Sequence, residues 1–308
     1  EQSPNPPLGA HPQLPEHQPL QTATPISLYH IPWQNSAMPE LPEVETTRAG
    51  IEPHVRGQTV RTVVVRQPQL RWPVSPELAA VLPGQAIHTV HRRAKYLLFE
   101  TDTGHVCLHL GMSGRLRIVP ADTPVATHDH LDIVLENDWA IRFNDTRRFG
   151  SVFWLEGAPE TFSLLAHLGP EPLGDAFDGD WLYARSRGKR ASVKTFIMDS
   201  ATVVGVGNIY ACEALHAARI HPRRPAGRVG RARYRALAEA IRRVLADAIV
   251  AGGTTLRNYI GVDGDTGYFQ LRLAAYGKAG QACPRGCGPI RREVIGQRST
   301  FFCPVCQK

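Results

Sequence analysis

MPELPEVETTRAGIEPHV, residues 38–55, is where the chain changes character. Before it, residues 1–37 are rich in Pro, Gln and His and show little periodicity, the composition of a segment that cannot bury a core. Within it, apolar residues recur at helical spacing as Val44, Ile51 and Val55, and prolines occupy the first positions, where a missing N–H costs a helix nothing. A helix is expected to begin between Pro39 and Leu41. Residues 1–38 are expected to form a disordered extension that the mature protein lacks, with translation starting at Met38.

Downstream of this helix the period changes from helical to alternating. TVRTVVVR (59–66), YLLFETDTGHVCLHLG (96–111), GRLRIV (114–119), HLDIVLEND (130–138) and AIRFND (140–145) are short β-rich runs, and ETDTGH reads as a hairpin turn. Together they predict a β-rich domain of sandwich type. From about residue 160 the pattern turns helical, through DWLYARSR (180–187), SVKTFIMDS (192–200), NIYACEALHAARI (208–220) and the long GRARYRALAEAIRRVLADAIVAGG (230–253). The glycine-rich IGVDGDTGYF (260–269) reads as a loop, and the tail from Tyr276 is β-like and punctuated by cysteine.

With 308 residues the chain is long enough for two domains with a sizeable core. No run approaches the roughly 18 apolar residues of a membrane span. The net charge of +7 admits a polyanionic partner as readily as an unspecialised basic surface. The choice of cation says more: 30 of the 35 basic residues are Arg, so each of the five lysines stands out. Arginine gives planar, bidentate contacts, whereas lysine gives a compact charge that can lose its proton.

Four of the six cysteines crowd the tail, as CPRGC (Cys283, Cys287) and CPVC (Cys303, Cys306) with 15 residues between the pairs. Two tight turns each offering two thiolates suit a tetrahedral zinc site on a β-hairpin, and metal binding would supply folding energy to a tail too short to bury a core. Four thiolates leave no open position, so such a zinc is structural. Two disulfides are the alternative reading, disfavoured by cysteine usage that suggests a reducing compartment. Arg291, Arg292 and Arg298 lie between the pairs and could meet phosphate; for the first two a solvated surface role is preferred.

MPELPEVET, HRRAKYLLFE (91–100), HLGMSGRLRI (109–118), FNDTRRFG (143–150), VVGVGNIYACEAL (203–215) and QRSTFFCPVCQK (297–308), in this order, resemble bacterial formamidopyrimidine-DNA glycosylases, from Pro39 to Lys308. The resemblance implies an α+β fold: a β-sandwich catalytic domain over 39–160, a helix-two-turn-helix domain with a lesion-capping loop over 161–275, and a zinc finger over 276–308. It implies one structural Zn(2+) and double-stranded DNA bearing oxidised purines as partner. It also implies a monomeric, cytoplasmic, nucleoid-associated protein of base excision repair. The implied activity is bifunctional: excision of 8-oxoguanine and formamidopyrimidines, then strand cleavage by β- and δ-elimination.

Site residues follow from the matched motifs. Pro39 maps to the family's N-terminal nucleophile. An α-amine titrates near pH ~8, so a useful fraction is neutral at pH 7. A secondary amine attacking C1′ gives an iminium directly, an electron sink for elimination. Glu40 maps to the general acid/base that assists ring opening at O4′; taken alone it is an ordinary first-turn carboxylate. Glu43 is given a structural role. Lys95 maps to a contact with the lesion and its phosphate, against snorkelling at a strand start, and Lys194 to a second position near that phosphate. Met112, Arg147 and Phe149 map to the group that fills the void left by an everted nucleotide. Asn208, placed to cap a helix starting at Ile209 beside Gly205 and Gly207, maps to a phosphate contact, as does Arg298 in the finger. The loop at 257–268 maps to the lesion-capping loop. The HDH run at 128–130 is given no catalytic role.

Two rival readings share these motifs. An endonuclease VIII-type glycosylase for oxidised pyrimidines would have PEGP rather than PELP after its first methionine. A non-catalytic damaged-DNA-binding protein would result if residues 1–38 stayed attached, because Pro39 would then be a tertiary amide.

Overall fold

The computed structural model describes residues 38–252 and 273–308. The expected extension, but for Met38, and the expected lesion-capping loop lie outside the described residues. The first helix, α1 (Leu41–Val55), starts where its prolines permit and turns Val44, Ile51 and Val55 inward.

Eight strands follow: β1 (Val60–Val65), β2 (Ile87–Arg93), β3 (Tyr96–Thr101), β4 (Gly104–His109), β5 (Gly114–Pro120), β6 (Asp129–Leu135), β7 (Trp139–Asp145) and β8 (Ser151–Glu156), with a one-turn helix α2 (Leu78–Val81) after β1. They form two antiparallel four-stranded sheets, ordered β1-β6-β7-β5 and β2-β3-β4-β8. One apolar core joins the sheets, drawing Val60, Leu131, Ile141 and Phe143 from the first and Val90, Phe99, Val106 and Val152 from the second. This is a β-sandwich, with α1 packed on its β2 and β5 edges and also reaching the last helix of the chain. β6 is buried along its whole length. Its Asp132 pairs with Arg142 and Arg66 at 2.9 and 2.6 Å, so the charges on its outer face are compensated. Burial raises the Asp132 pKa, but hydrogen bonds from Arg66 and Arg142 outweigh it and hold the carboxyl below its usual range.

The helical half contains α3 (Ser163–Ala166), α4 (Gly179–Ser186), α5 (Val193–Met198), α6 (Asn208–Ala217) and α7 (Arg231–Val250). Leu237, Ile241, Leu245 and Ala248 give α7 a stripe at three- and four-residue spacing, which closes over Phe196, Ile197, Ile209 and Leu215. Between α6 and α7 the chain makes two tight turns, one closed by Arg224 N–H to His221 O and one a 3-10 turn at Ala226–Arg228. The tail is a two-stranded antiparallel hairpin, β9 (Arg291–Ile295) and β10 (Arg298–Phe302). Among the described residues no helix is long and apolar enough to cross a membrane.

Candidate active site and zinc finger

Pro39 and Glu40 sit at the mouth of α1, against the start of α6. Leu41 N–H donates to Gly205 O at 3.2 Å, which seats the beginning of α1 on the Gly205–Gly207 turn. Glu40 is only 3 % exposed. Its carboxylate accepts from the N–H groups of Gly207 (2.9 Å), Ile209 (2.8 Å) and Tyr210 (3.3 Å). It therefore meets the positive end of α6 and supplies the anion that this helix terminus attracts. A side chain at 207 would fall on the Glu40 carboxyl carbon, so glycine there is a condition of the contact. Burial pushes the Glu40 pKa up to about 7, reinforced by Glu43 and opposed by Lys95 and the N–H groups of Ile209 and Tyr210. A carboxyl near this value can both hold and release a proton at neutral pH.

Glu43, one turn on, accepts Glu40 N–H at 2.9 Å and the Tyr210 hydroxyl at 2.8 Å. It braces Glu40 from behind, in line with the structural role expected of it. Tyr210 is a partner that sequence reading missed, because nothing local marks an aromatic in α6 as facing α1.

The structure differs from expectation at Asn208. The helix begins at Asn208 itself, with Gly207 as N-cap and no side-chain cap of its own. Glu40, brought in from the other domain, takes that place, and Gly207 leaves room for its carboxylate. Asn208 instead donates from Nδ2 to Ser299 O at 2.9 Å and accepts Lys194 Nζ at 2.6 Å. Lys194, expected beside a phosphate, is fully buried, and its ammonium also donates to Thr300 Oγ1 at 2.7 Å. Burial drives its pKa down, against the pull of Glu40. In the described structure these two side chains join α5, α6 and β10.

Lys95 lies in the β2–β3 turn, after Ala94 at φ 55°. Glu171 holds that turn, accepting from Arg92 (2.7 Å), Arg93 (2.9 Å) and Ala94 N–H (2.7 Å), while Arg92 also meets Glu45 of α1 at 2.8 Å. One carboxylate from beyond the sandwich thus fixes the lysine turn relative to the helix bearing Glu40. His109 packs at a tilt against Tyr96 with ring centroids 4.8 Å apart and accepts Gly111 N–H on Nδ1 at 3.0 Å. Burial, then Lys95 and Arg71, press its pKa down to about 4, so it is neutral while its surroundings are cationic.

Met112, Arg147 and Phe149 come from two turns that touch. Gly111, at φ 66°, presses on the backbone of Phe149 and Gly150, where any Cβ would clash. Asp145, fully buried, ties the turns together: it accepts from Ser113 Oγ, from Gly150 N–H at 2.8 Å and from Arg147 N–H at 3.3 Å. The Arg147 guanidinium lies over the Phe149 ring, 4.8 Å from its centroid, and Phe149 is 41 % exposed. An exposed aromatic at a turn tip, carrying a cation on its face, is poorly explained by core packing. His130 of the HDH run binds Asp145 O at 2.8 Å and serves the same junction.

The Sγ atoms of Cys283, Cys287, Cys303 and Cys306 all lie within 4.8 Å of one another. All four are free thiols, and Cys287 and Cys303 stand 3.4 Å apart, too far for a disulfide. The edge of a tetrahedron with Zn–S bonds of ~2.3 Å is about 3.8 Å. The donor set and its spacing fit one structural zinc with no open position. Arg298 opens β10 on the same hairpin, next to the Ser299 and Thr300 atoms that Asn208 and Lys194 bind. Sequence reading also missed Glu213 of α6. It accepts from the N–H groups of Ala274 (2.7 Å), Ala275 (2.9 Å) and Tyr276 (2.7 Å) and so anchors the chain where the finger begins.

Comparison with known proteins places this architecture. Residues 38–152 match the formamidopyrimidine-DNA glycosylase N-terminal domain, residues 168–259 the formamidopyrimidine-DNA glycosylase H2TH domain, and residues 280–308 a zinc finger found in FPG and IleRS. A formamidopyrimidine-DNA glycosylase of Syntrophotalea carbinolica is 61% identical over 271 residues, 88% of this chain and 100% of that protein. Wild-type Lactococcus lactis Fpg, solved with a DNA containing N7-benzyl-Fapy-dG, superposes with a TM-score of 0.80 at 34% identity, covering 88% of this chain and 100% of that one. The Fpg protein of Thermus thermophilus gives a TM-score of 0.77 at 41% identity, covering 87% and 98%. With its N-terminal domain, its helical domain and its zinc finger each matched, and one relative matched along its whole length, the chain belongs to the formamidopyrimidine-DNA glycosylase family.

Proposed function

We propose that this chain excises oxidised purines from duplex DNA with Pro39 as nucleophile and Glu40 as general acid/base, then cleaves the strand at the resulting site. The observation that carries this reading is the Glu40 carboxyl: buried, next in sequence to Pro39, fixed by three backbone N–H groups, and with its pKa raised to about 7. The Pro39 nitrogen attacks C1′ with its lone pair, the purine leaves with the glycosidic electrons, and the proton shed by the now cationic nitrogen passes through water to the departing base. Glu40 delivers its proton to O4′ as the C1′–O4′ bond opens, leaving an N+=C1′ iminium. Water then takes a C2′ proton while the iminium accommodates the electron pair left behind, the 3′ phosphate departs with its bonding electrons, and a second elimination expels the 5′ phosphate.

Lys95 and Arg298 hold phosphates on either side of the lesion. Met112, Arg147 and Phe149 enter the duplex where the nucleotide has left, with the Arg147 fork available to the orphaned base. Lys194 and Asn208 act behind Arg298, fixing the hairpin that presents it. The four cysteines hold the structural zinc. The protein works as a monomer in the bacterial cytoplasm, on nucleoid DNA.

The chemistry needs the Pro39 nitrogen as a secondary amine; a peptide bond from Met38 would make it a non-nucleophilic amide. Borohydride reduction in the presence of an 8-oxoguanine:C duplex should trap a covalent complex only in protein that begins at Pro39, and Pro39→Gly should abolish or severely slow trapping while lesion binding survives. Trapping by a form that retains Met38 on Pro39 would show that another amine is the nucleophile. Faster excision of thymine glycol opposite A than of 8-oxoguanine opposite C would move the chain to the oxidised-pyrimidine branch.

A further inference from the structure

The finger touches α6 at both ends. At the start of the helix, Asn208 and Lys194 bind Ser299 and Thr300 of β10. The contacts at its C-terminal end involve the metal ligands themselves. His216, in the last turn of α6 and 4 % exposed, places Nε2 3.3 Å from Sγ of Cys283. Three residues separate Cys283 from Cys287, and the middle one, Arg285, leaves the turn to reach α6. Its guanidinium donates to His216 O at 2.8 Å and Ala217 O at 3.1 Å, two of the carbonyls a helix end leaves without partners. Gln307 adds a third link, accepting Cys303 N–H at 2.7 Å and donating to Ile220 O at 2.9 Å.

We propose that His216 is an outer-sphere partner of the zinc site, donating Nε2–H to the Cys283 thiolate, and that with Arg285 it fastens the finger to the C-terminal end of α6. A zinc-bound thiolate carries negative charge with lone pairs to spare. A buried imidazole aimed at it supplies a charge-assisted hydrogen bond, which stabilises the ligand and fixes its direction. Arg285 does the complementary task, placing a cation on the negative end of the helix that carries His216. The three-residue knuckle therefore gives the finger a second attachment besides β10. Since α6 also holds Glu40 at its other end, metal occupancy is mechanically joined to the helix that orients the catalytic carboxyl.

The test is zinc release from the fully loaded protein into excess colorimetric chelator, a readout independent of DNA and of excision. His216→Phe keeps the volume and removes the donor; zinc loss should accelerate roughly tenfold or more. His216→Gln, whose amide N–H can reach the same sulfur, should stay close to the wild-type rate. Arg285→Ala removes an exposed side chain that no core packing depends on, and should also speed release. Release from His216→Gln as fast as from His216→Phe would show that only packing matters at this position. If His216→Phe does not fold, zinc loss from Arg285→Ala at the wild-type rate overturns the proposal, since Arg285 reaches both the α6 carbonyls and, at 3.6 Å, Sγ of Cys306.

Discussion

Glu40 is pulled two ways: burial, reinforced by Glu43, favours its neutral form, whereas Lys95 and the N–H groups of Ile209 and Tyr210 favour the anion, and burial prevails to leave the pKa at about 7. The consequence for stability has a definite sign. Relative to an ordinary value of 4.5, the folded state holds this proton more tightly, so the contribution is fully present below pH 4.5 and is lost as pH rises through 7. At about 1.4 kcal/mol per pH unit the full loss is on the order of 3 kcal/mol. Urea melts should therefore show wild type losing stability relative to Glu40→Gln between pH 5 and pH 8; a constant difference across that range would contradict the raised pKa. Activity should be bell-shaped in pH. The acid limb loses the free Pro39 amine and the alkaline limb loses the Glu40 proton, with apparent values belonging to the interacting pair. Gly207→Ala tests the same seat from the opposite side, because its methyl must displace the Glu40 carboxyl. The backbone there, at φ −102°, tolerates alanine, so the cost is overpacking of about 1–3 kcal/mol, with excision falling roughly a hundredfold as the acid is misplaced. Single-turnover kinetics and melts of this variant give both numbers.

At the scale of elements, the two turns that present Met112, Arg147 and Phe149 form one unit, since Gly111 lies directly on the backbone of Phe149 and Gly150. Alanine at 111 would meet both a left-handed φ of 66° and that contact, and would part the turns. Gly111→Ala should therefore lower affinity for lesion DNA much more than affinity for undamaged duplex, in parallel titrations of the two; equal losses would detach this pair of turns from eversion. The turn residues themselves were legible in sequence, because glycine and paired arginines mark loop tips. Asp145, which ties the turns together, was not: its partners lie up to 32 residues away and no spacing announces them. The start of α6 shows the same limit. GVGN reads locally as a glycine turn with an asparagine cap, yet the cap is Glu40, 167 residues upstream of Gly207. Periodicity and turn chemistry report what a segment does with its neighbours. A cap supplied by another domain leaves no local trace, and Asn208, freed from capping, binds the finger instead.

For the whole molecule, charged and polar side chains link β-sandwich, helical half and finger around the site. Glu171 holds the lysine turn, Glu40 caps α6, Glu213 anchors the start of the finger, and Asn208 and Lys194 join it to β10. These links place cationic groups from separate domains, Lys95 on the sandwich and Arg298 on the finger, in a chain of net charge +7. The arrangement makes a quantitative demand on DNA binding. Each phosphate neutralised releases condensed counterions, so log affinity falls with log salt by about 0.9 per contact. Arg298, at the start of β10, reads no base in the proposed complex. Arg298→Ala should then weaken damaged and undamaged duplex alike and make the salt slope shallower by about 0.9. Removing zinc should do the same and more, because β9 and β10 are too short to hold the hairpin without it. Titrations at several salt concentrations on wild type, Arg298→Ala and metal-free protein give the three slopes. If the metal-free protein keeps the wild-type slope, the finger makes no phosphate contact, and Arg298 stands on the hairpin for a different purpose.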